Sequence, residues 1–190
     1  MLAVFAVISA VLALLAAPPY ILDTLRGKTK PQRATWIIYS TLGLIGFFSS
    51  LAIQSNWSLV YLGMDTLASL TVFILSIRYG VGGFTLLDRY ALVTASIGVA
   101  VSIAVSRPLI ALLGIILADV AGTVLTIRKA FLHPSTETTI SWVLVGVGGI
   151  FGLLSVGKLD FSLLVWPIYL VFANLSIPLA QNLGRVAGRS

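Results

Sequence analysis

Long runs of apolar residues, separated by short polar breaks, recur along the chain and constrain its fold more than any other feature. An α-helix needs about 20 apolar residues to cross a bilayer core roughly 30 Å thick. Charged residues make up only 9% of the chain and hydrophobic residues 58%, too few charges to cover a water-facing surface. We therefore predict an all-α integral membrane protein with seven transmembrane helices. The predicted spans are residues 2–22, 35–53, 57–77, 88–106, 108–127, 139–157 and 161–181.

The basic residues predict how these spans are oriented. Lys and Arg are enriched in cytoplasmic loops, and seven spans place the connections after spans 1, 3 and 5 on the same side as the C-terminal tail. That side carries all the basic residues except Arg107 and Lys158. They are Arg26, Lys28, Lys30, Arg33, Arg78, Arg89, Arg128, Lys129, Arg185 and Arg189. We expect the N-terminus outside, the C-terminus in the cytoplasm, and no cleavage of span 1, since no basic residues precede its apolar run.

Two stretches of the sequence follow the same order of elements. Thr24 to Trp36 (TLRGKTKPQRATW) leads out of span 1, and Thr126 to Trp142 (TIRKAFLHPSTETTISW) leads out of span 5. Each begins Thr-apolar-Arg, passes through a basic loop with a proline and enters the next helix at a tryptophan. Because both loops share one side, two parallel three-helix units need an inverting helix between them, which is span 4. We predict this 3+1+3 parallel repeat, an architecture found in transporters. Its parts are a first three-helix bundle at 1–77, a linker including helix 4 at 78–107, a second bundle at 108–184 and a cytoplasmic tail at 185–190.

In this layout the chain resembles the PQ-loop superfamily, which includes the SWEET (MtN3) sugar carriers. The resemblance lies in Pro19, the basic loop Arg26–Lys30 and the hydroxyl–Trp pairs Thr35–Trp36 and Ser141–Trp142. It implies a bacterial-type inner or plasma membrane and, in each bundle, a third helix that lies between the first and second.

The chain is similar above all to uncharacterised bacterial seven-helix proteins. The residues that carry this similarity are Asp88, Asp119, Pro134, Glu137, Pro167 and Tyr169. The PQ dipeptide itself is absent from span 1, where Tyr20 follows Pro19, and Pro31-Gln32 lies in the loop and receives no role. Substrate identity is therefore left open.

Two acidic residues fall deep inside predicted spans. Asp65 lies about 12 Å into span 3 and Asp119 about 16 Å into span 5, at 1.5 Å per residue. An ionisable group at such depth is costly and by default marks a substrate or proton pathway. All Lys and Arg lie in loops or at helix ends, so each carboxyl group must be protonated, solvated by a cavity, hydrogen-bonded or paired with a cationic ligand. The structural alternative is an aspartic acid that only bonds a neighbouring helix.

Polar residues at helical spacing accompany both acids and predict a central cavity. The stripes are Ser58, Tyr61, Asp65, Ser69 and Ser76 on span 3; Asp119, Thr123 and Thr126 on span 5; Pro167, Asn174, Pro178 and Gln181 on span 7; and Trp36, Ser40, Gly43, Phe47, Ser50 and Gln54 on span 2. A single Ser or Thr in such a helix often bonds only its own backbone or a neighbouring helix. The candidate substrate- or proton-binding residues are Asp65, Asp119, Asn174, Tyr61, Tyr169, Ser69, Thr123 and Gln54.

Prolines and tryptophans provide two further hypotheses. Pro19 and Pro167 interrupt the backbone hydrogen bonds of their helices and are candidate hinges, by resemblance to SWEET-like carriers, with static kinks as the alternative. Trp36 and Trp142 enter their helices at the cytoplasmic end, which favours an aromatic-belt role over stacking on a substrate.

These patterns favour a secondary transporter or facilitator of a small polar or cationic solute, either proton-coupled or a uniporter. The sequence has no Walker-type phosphate loop, no metal-ligand cluster and no cysteine, so we expect no ATP-driven step, no cofactor and no metal. No acid, base and nucleophile converge, so we expect no enzyme. The alternative is a receptor or sensor, because PQ-loop relatives include a seven-helix sorting receptor. Expected partners are the solute, a proton or cation, the lipid bilayer and, as an option, further copies of the chain; no nucleic acid is expected.

Overall fold

The computed structural model describes the backbone of residues 1–52 and 56–189 and the side chains of residues 1–52 and 59–189. Within these ranges the chain forms seven α-helices, one short 3-10 helix (Pro134–Thr136) and no β-strand. The helices are α1 (Leu2–Leu25), α2 (Arg33–Ala52), α3 (Asn56–Tyr79), α4 (Leu86–Ala104), α5 (Pro108–Leu132), α6 (Thr139–Ser155) and α7 (Phe161–Val186). The prediction of a helical protein with seven helices is confirmed.

Most of these helices have the length and composition of membrane spans. Among the described residues, six are long and apolar enough to cross a membrane, namely α1 to α5 and α7. The seventh, α6, is also apolar but has 17 residues, which cover about 26 Å. The chain is therefore an integral membrane protein of the helical type.

Local signals explain where the helices begin. α5 starts with Pro108 in its first turn, where a missing amide hydrogen costs nothing. α4 starts with a capping box, in which Thr85 Oγ1 accepts from the Asp88 amide at 3.2 Å and Asp88 Oδ2 accepts from the Thr85 amide at 2.9 Å. Buried Asp88 also accepts a hydrogen bond from Gln32 Nε2 at 2.8 Å. The acid that opens helix 4 thus joins the α3–α4 turn to the α1–α2 connection.

We call α1–α3 the first half of the chain and α5–α7 the second half. In the first half α3 packs against both α1 and α2, and in the second α7 packs against both α5 and α6. Over the described residues, the backbones of α1 and α2 do not approach each other closely, and neither do those of α5 and α6. The halves meet where α1 packs against α6 and α2 against α5.

The remaining helix, α4, lies along α5 and touches it through two glycines. A Cβ atom at Gly98 would lie 2.9 Å from the amide nitrogen of Ala118, and one at Gly114 would lie 3.0 Å from that of Ser102. Neither distance leaves room for a side chain, so glycine allows the two backbones to approach this closely. α4 also contacts α2, which places it beside the boundary between the halves.

Candidate substrate cavity

A cavity of about 820 Å³ lies between the two halves, within the size range of small-molecule sites. All seven helices contribute to its walls. It is lined by Asp65 from α3 and Asp119 from α5, one acid from each half. Three further predicted residues line it, Tyr61, Ser69 and Asn174. The structure therefore brings together the two acids and part of the polar stripes selected from the sequence.

Asp119 accepts hydrogen bonds from one hydroxyl group on another helix and one on its own. Its Oδ2 accepts a hydrogen bond from the Tyr169 hydroxyl on α7 and, at 3.2 Å, from Thr123 Oγ1. Thr123 Oγ1 is also 2.7 Å from the Tyr39 hydroxyl on α2. The predicted residues Thr123 and Tyr169 thus position Asp119 and link α5 to α7 and α2. A structural role in helix association is therefore part of what Asp119 does.

Asp65 has different surroundings. Its side chain has accessible surface, lines the cavity and makes no hydrogen bond or ion pair with any residue that the structure describes. The hydroxyl of Ser69, one helical turn away, bonds the carbonyl oxygen of Thr66 in its own helix at 2.9 Å. No Lys, Arg or His is among the described residues that line the cavity. The Asp65 carboxyl group is therefore available to a ligand or to water.

The other predicted residues have varied positions. Asn174 is buried and donates to the carbonyl oxygen of Leu170 at 2.9 Å. Gln54 lies outside the described residues. Pro19 and Pro167, the candidate hinges, lie inside α1 and α7, which continue through them, and neither is among the cavity-lining residues.

Four aromatic rings form one end of the cavity, and we call them the aromatic floor: Tyr20, Trp36, Tyr39 and Trp142. The ring centroid of Tyr20 lies 5.0 Å from that of Trp36 and 5.7 Å from that of Trp142, and the two tryptophans are 6.3 Å apart. Trp142 is only 5% exposed. The aromatic-belt prediction for Trp36 and Trp142 is wrong, because both rings face the cavity and pack together across the two halves.

Beyond the aromatic floor, a buried ion pair joins the α1–α2 and α5–α6 connections. Lys129 Nζ lies 2.5 Å from Glu137 Oε1, and the two side chains are 6% and 0% exposed. Lys129 also donates to the carbonyl oxygens of Lys30 and Thr136. Trp142 Nε1 on the floor donates to Glu137 Oε2 at 2.8 Å. The ion pair is therefore bonded both to the first half and to the aromatic floor.

Threonine and backbone contacts complete this junction. Thr29 Oγ1 and Thr138 Oγ1 are 2.5 Å apart, and Thr138 donates to Asp23 Oδ2 at 3.1 Å. The Lys30 amide donates to the carbonyl oxygen of Thr136 at 3.0 Å. We call the whole set the inter-loop latch: Asp23, Thr29, Lys30, Lys129, Thr136, Glu137 and Thr138. The aromatic floor and the inter-loop latch together close the cavity toward the α1–α2 and α5–α6 connections. We call this side of the protein the basic side.

The predicted span 5 ends at residue 127, before Lys129, and the predicted cavity residues do not include Tyr39. α5 continues past residue 127 to Leu132, so Lys129 is a buried residue of that helix.

Tyr39 follows Trp36 by three residues and precedes Gly43 by four, so helical spacing could have found it. The predicted stripe used Ser40 instead, which is buried but is not among the cavity-lining residues. The lining face of α2 is therefore rotated by about one residue from the prediction.

No family model, no curated protein and no solved structure matches this chain. Among the described residues, no group of three or more His, Asp or Glu side chains could hold a metal ion. We therefore infer function from the cavity and its surroundings.

Proposed function

We propose that this protein is a secondary transporter or facilitator of a small polar or cationic solute, which works by alternating access between its two halves. The observation that carries the proposal is the cavity between the halves, which is lined by one acid from each. Ionisable residues at membrane depth that face a cavity are typical of solute and proton pathways.

The packing of the helices supports a parallel 3+1+3 repeat. The contacting pairs among these six helices are symmetric. When α1, α2 and α3 are renamed α5, α6 and α7, and the reverse, the same list of contacting pairs results. The α1–α6 contact becomes the α5–α2 contact, and the α1–α3 contact becomes the α5–α7 contact. The third helix lies between the first and second in both halves, as the PQ-loop resemblance implies. We therefore propose that the bundles at residues 1–77 and 108–184 are related by a pseudo-two-fold axis along the membrane normal.

The closed basic side supports alternating access. The inter-loop latch joins α1–α2 of the first half to α5–α6 of the second, so the cavity opens to the basic side only when these contacts separate. Pro19 lies one residue from Tyr20 of the aromatic floor, and Pro167 lies one residue from Trp166 of the cavity wall. We assign the bending that accompanies opening to these two prolines.

Uptake into proteoliposomes tests the function. Among radiolabelled sugars, amines, amino acids and vitamins, we expect one class to accumulate only in vesicles that contain the protein. Asp65→Asn should lower that uptake by about tenfold or more, because a hydrogen bond to a charged group contributes about 1.5–3 kcal/mol. Asp160→Asn is the matched control, since Asp160 is exposed at the start of α7 and asparagine preserves its cap on Ser162.

The same panel separates a carrier from a receptor. A solute that raises the thermal unfolding midpoint of the protein but does not enter the vesicles would contradict transport. That outcome would favour a seven-helix receptor or sensor. Unchanged uptake in Asp65→Asn would instead remove Asp65 from the pathway.

Topology can be tested separately. We place the basic side in the cytoplasm, with seven spans and the N-terminus outside. The chain contains no cysteine, so Lys28→Cys and Leu159→Cys would each carry a single thiol at an exposed position. A membrane-impermeant maleimide should label Lys28→Cys only from the cytoplasmic side and Leu159→Cys only from outside. Labelling of both from one face would mean that an even number of spans separates residues 28 and 159. That result would contradict the seven-span topology.

A further inference from the structure

The cavity is lined by two acidic residues, Asp65 and Asp119, and none of its described lining residues is basic. The two acids are satisfied differently, because Asp119 Oδ2 accepts hydrogen bonds from Tyr169 and Thr123 whereas the Asp65 carboxyl group has no partner among the described residues. Among the residues that the structure describes, none supplies a donor or a cation to Asp65.

A second polar group in the cavity also lacks a partner. Ser141 lines the cavity and is 4% exposed, and its Oγ makes no hydrogen bond. Thr35, its counterpart in the first hydroxyl–Trp pair, donates to the carbonyl oxygen of Gly122 at 2.7 Å and accepts from Thr126 at 3.1 Å. A buried hydroxyl group without a partner is costly. The Ser141 oxygen has almost no accessible surface, so this hydroxyl group belongs to the cavity wall and is not presented to a ligand.

Most of the remaining wall is apolar or aromatic. Aliphatic lining residues include Ala16, Ala17, Leu42, Ile115 and Val145. On α3 the lining face runs from Asp65 through Ser69 to Val72, and Val72 packs in the same buried cluster as Tyr20 and Trp142 of the aromatic floor. Seven residues of helix separate Asp65 from Val72, a rise of about 10 Å. A ligand can therefore contact Asp65 at one end and the aromatic floor at the other.

We propose that the cavity binds organic ammonium ions with an apolar body, the ammonium group at Asp65 and the body against the aromatic floor. This inference rests on the proposed function and names the substrate class of its site. The ammonium group supplies the donor that Asp65 lacks, and the apolar body packs against the rings of the aromatic floor. The walls are mostly apolar, so they suit an apolar body and would give the hydroxyl groups of a sugar few hydrogen-bond partners.

Isothermal titration calorimetry on the whole protein in lipid nanodiscs tests this assignment with two probes of the same shape. We expect 2-phenylethylammonium to bind about tenfold more tightly than the neutral 2-phenylethanol, or better, from the loss of one charged hydrogen bond. Methylammonium, which has no apolar body, should bind weakly. Asp65→Asn should make the affinities of amine and alcohol about equal, while Asp65→Glu and Asp160→Asn should preserve the preference for the amine.

Each other outcome overturns the assignment. Equal binding of both probes to the wild-type protein, binding of neither, or a preference that survives Asp65→Asn would exclude an ammonium site at Asp65. The flux experiment is scored independently. Uptake of an uncharged solute with no amine preference would refute this inference and leave transport standing. Selective amine binding without any flux would refute transport and leave the binding site standing.

Discussion

Replacing Lys129 with methionine should lower the free energy of unfolding by about 3–5 kcal/mol, because it leaves the Glu137 carboxylate buried without its cation. The methionine fills similar space but cannot donate to the carbonyl oxygens of Lys30 and Thr136, which Lys129 now contacts. Reversible unfolding in mixed detergent–SDS micelles would measure the change. A loss of this size is a large part of the stability of a small domain.

Two controls identify the ion pair as the cause. The double variant Lys129→Met/Glu137→Gln should regain much of the lost stability, because it removes both charges and retains an acceptor for Trp142 Nε1. Lys28→Met, which removes an exposed lysine of the α1–α2 connection, should change stability by no more than about 0.5 kcal/mol. If Lys129→Met is as stable as the wild type, the pair does not hold the two connections together.

Cross-linking the latch should stop transport completely. The threonine hydroxyl oxygens of Thr29 and Thr138 are 2.5 Å apart, so Thr29→Cys/Thr138→Cys should be joined by oxidation or by a short bis-methanethiosulfonate. These would be the only thiols in the chain. If the cavity opens to the basic side by separation of the latch, uptake should fall to background after oxidation and return after reduction.

Each single cysteine variant, oxidised in the same way, should transport like its reduced form. A cross-linked protein that still transports would show that the latch is not the gate. Failure of the cross-link to form would contradict the packing of the two connections, whatever the transport result. The cross-linked fraction on a non-reducing gel therefore accompanies each uptake measurement.

The features that the sequence predicts are those that depend on one helix at a time. Apolar length predicts the helices, because a span must satisfy its backbone within itself and match the bilayer thickness. Spacing of three and four residues predicts a shared face, which is why Tyr61, Asp65 and Ser69 lie together on the cavity wall. These signals need no knowledge of the neighbouring helix.

Contacts between distant segments could not be predicted in this way. Lys129 and Glu137 lie on either side of a turn, and their burial depends on α5 continuing to Leu132 and on the α1–α2 connection packing over them. Gln32 likewise received no role, yet its buried amide reaches Asp88, far along the chain. No local spacing relates such residues, because the pairing is a property of the packed halves.

The position of α4 limits how far any rocking motion can go. At its start Asp88 is bonded to Gln32, which belongs to the first half. Farther along, the backbone of α4 packs closely against that of α5 in the second half, at Gly98 and Gly114. α4 is thus attached to the first half at Asp88 and to the second half at Gly98. The helical segment between these two residues is about 15 Å long and stiff, and it connects the two halves. If the two halves move apart as the proposed transport requires, this connection limits the distance that they can separate unless the Gln32–Asp88 hydrogen bond breaks.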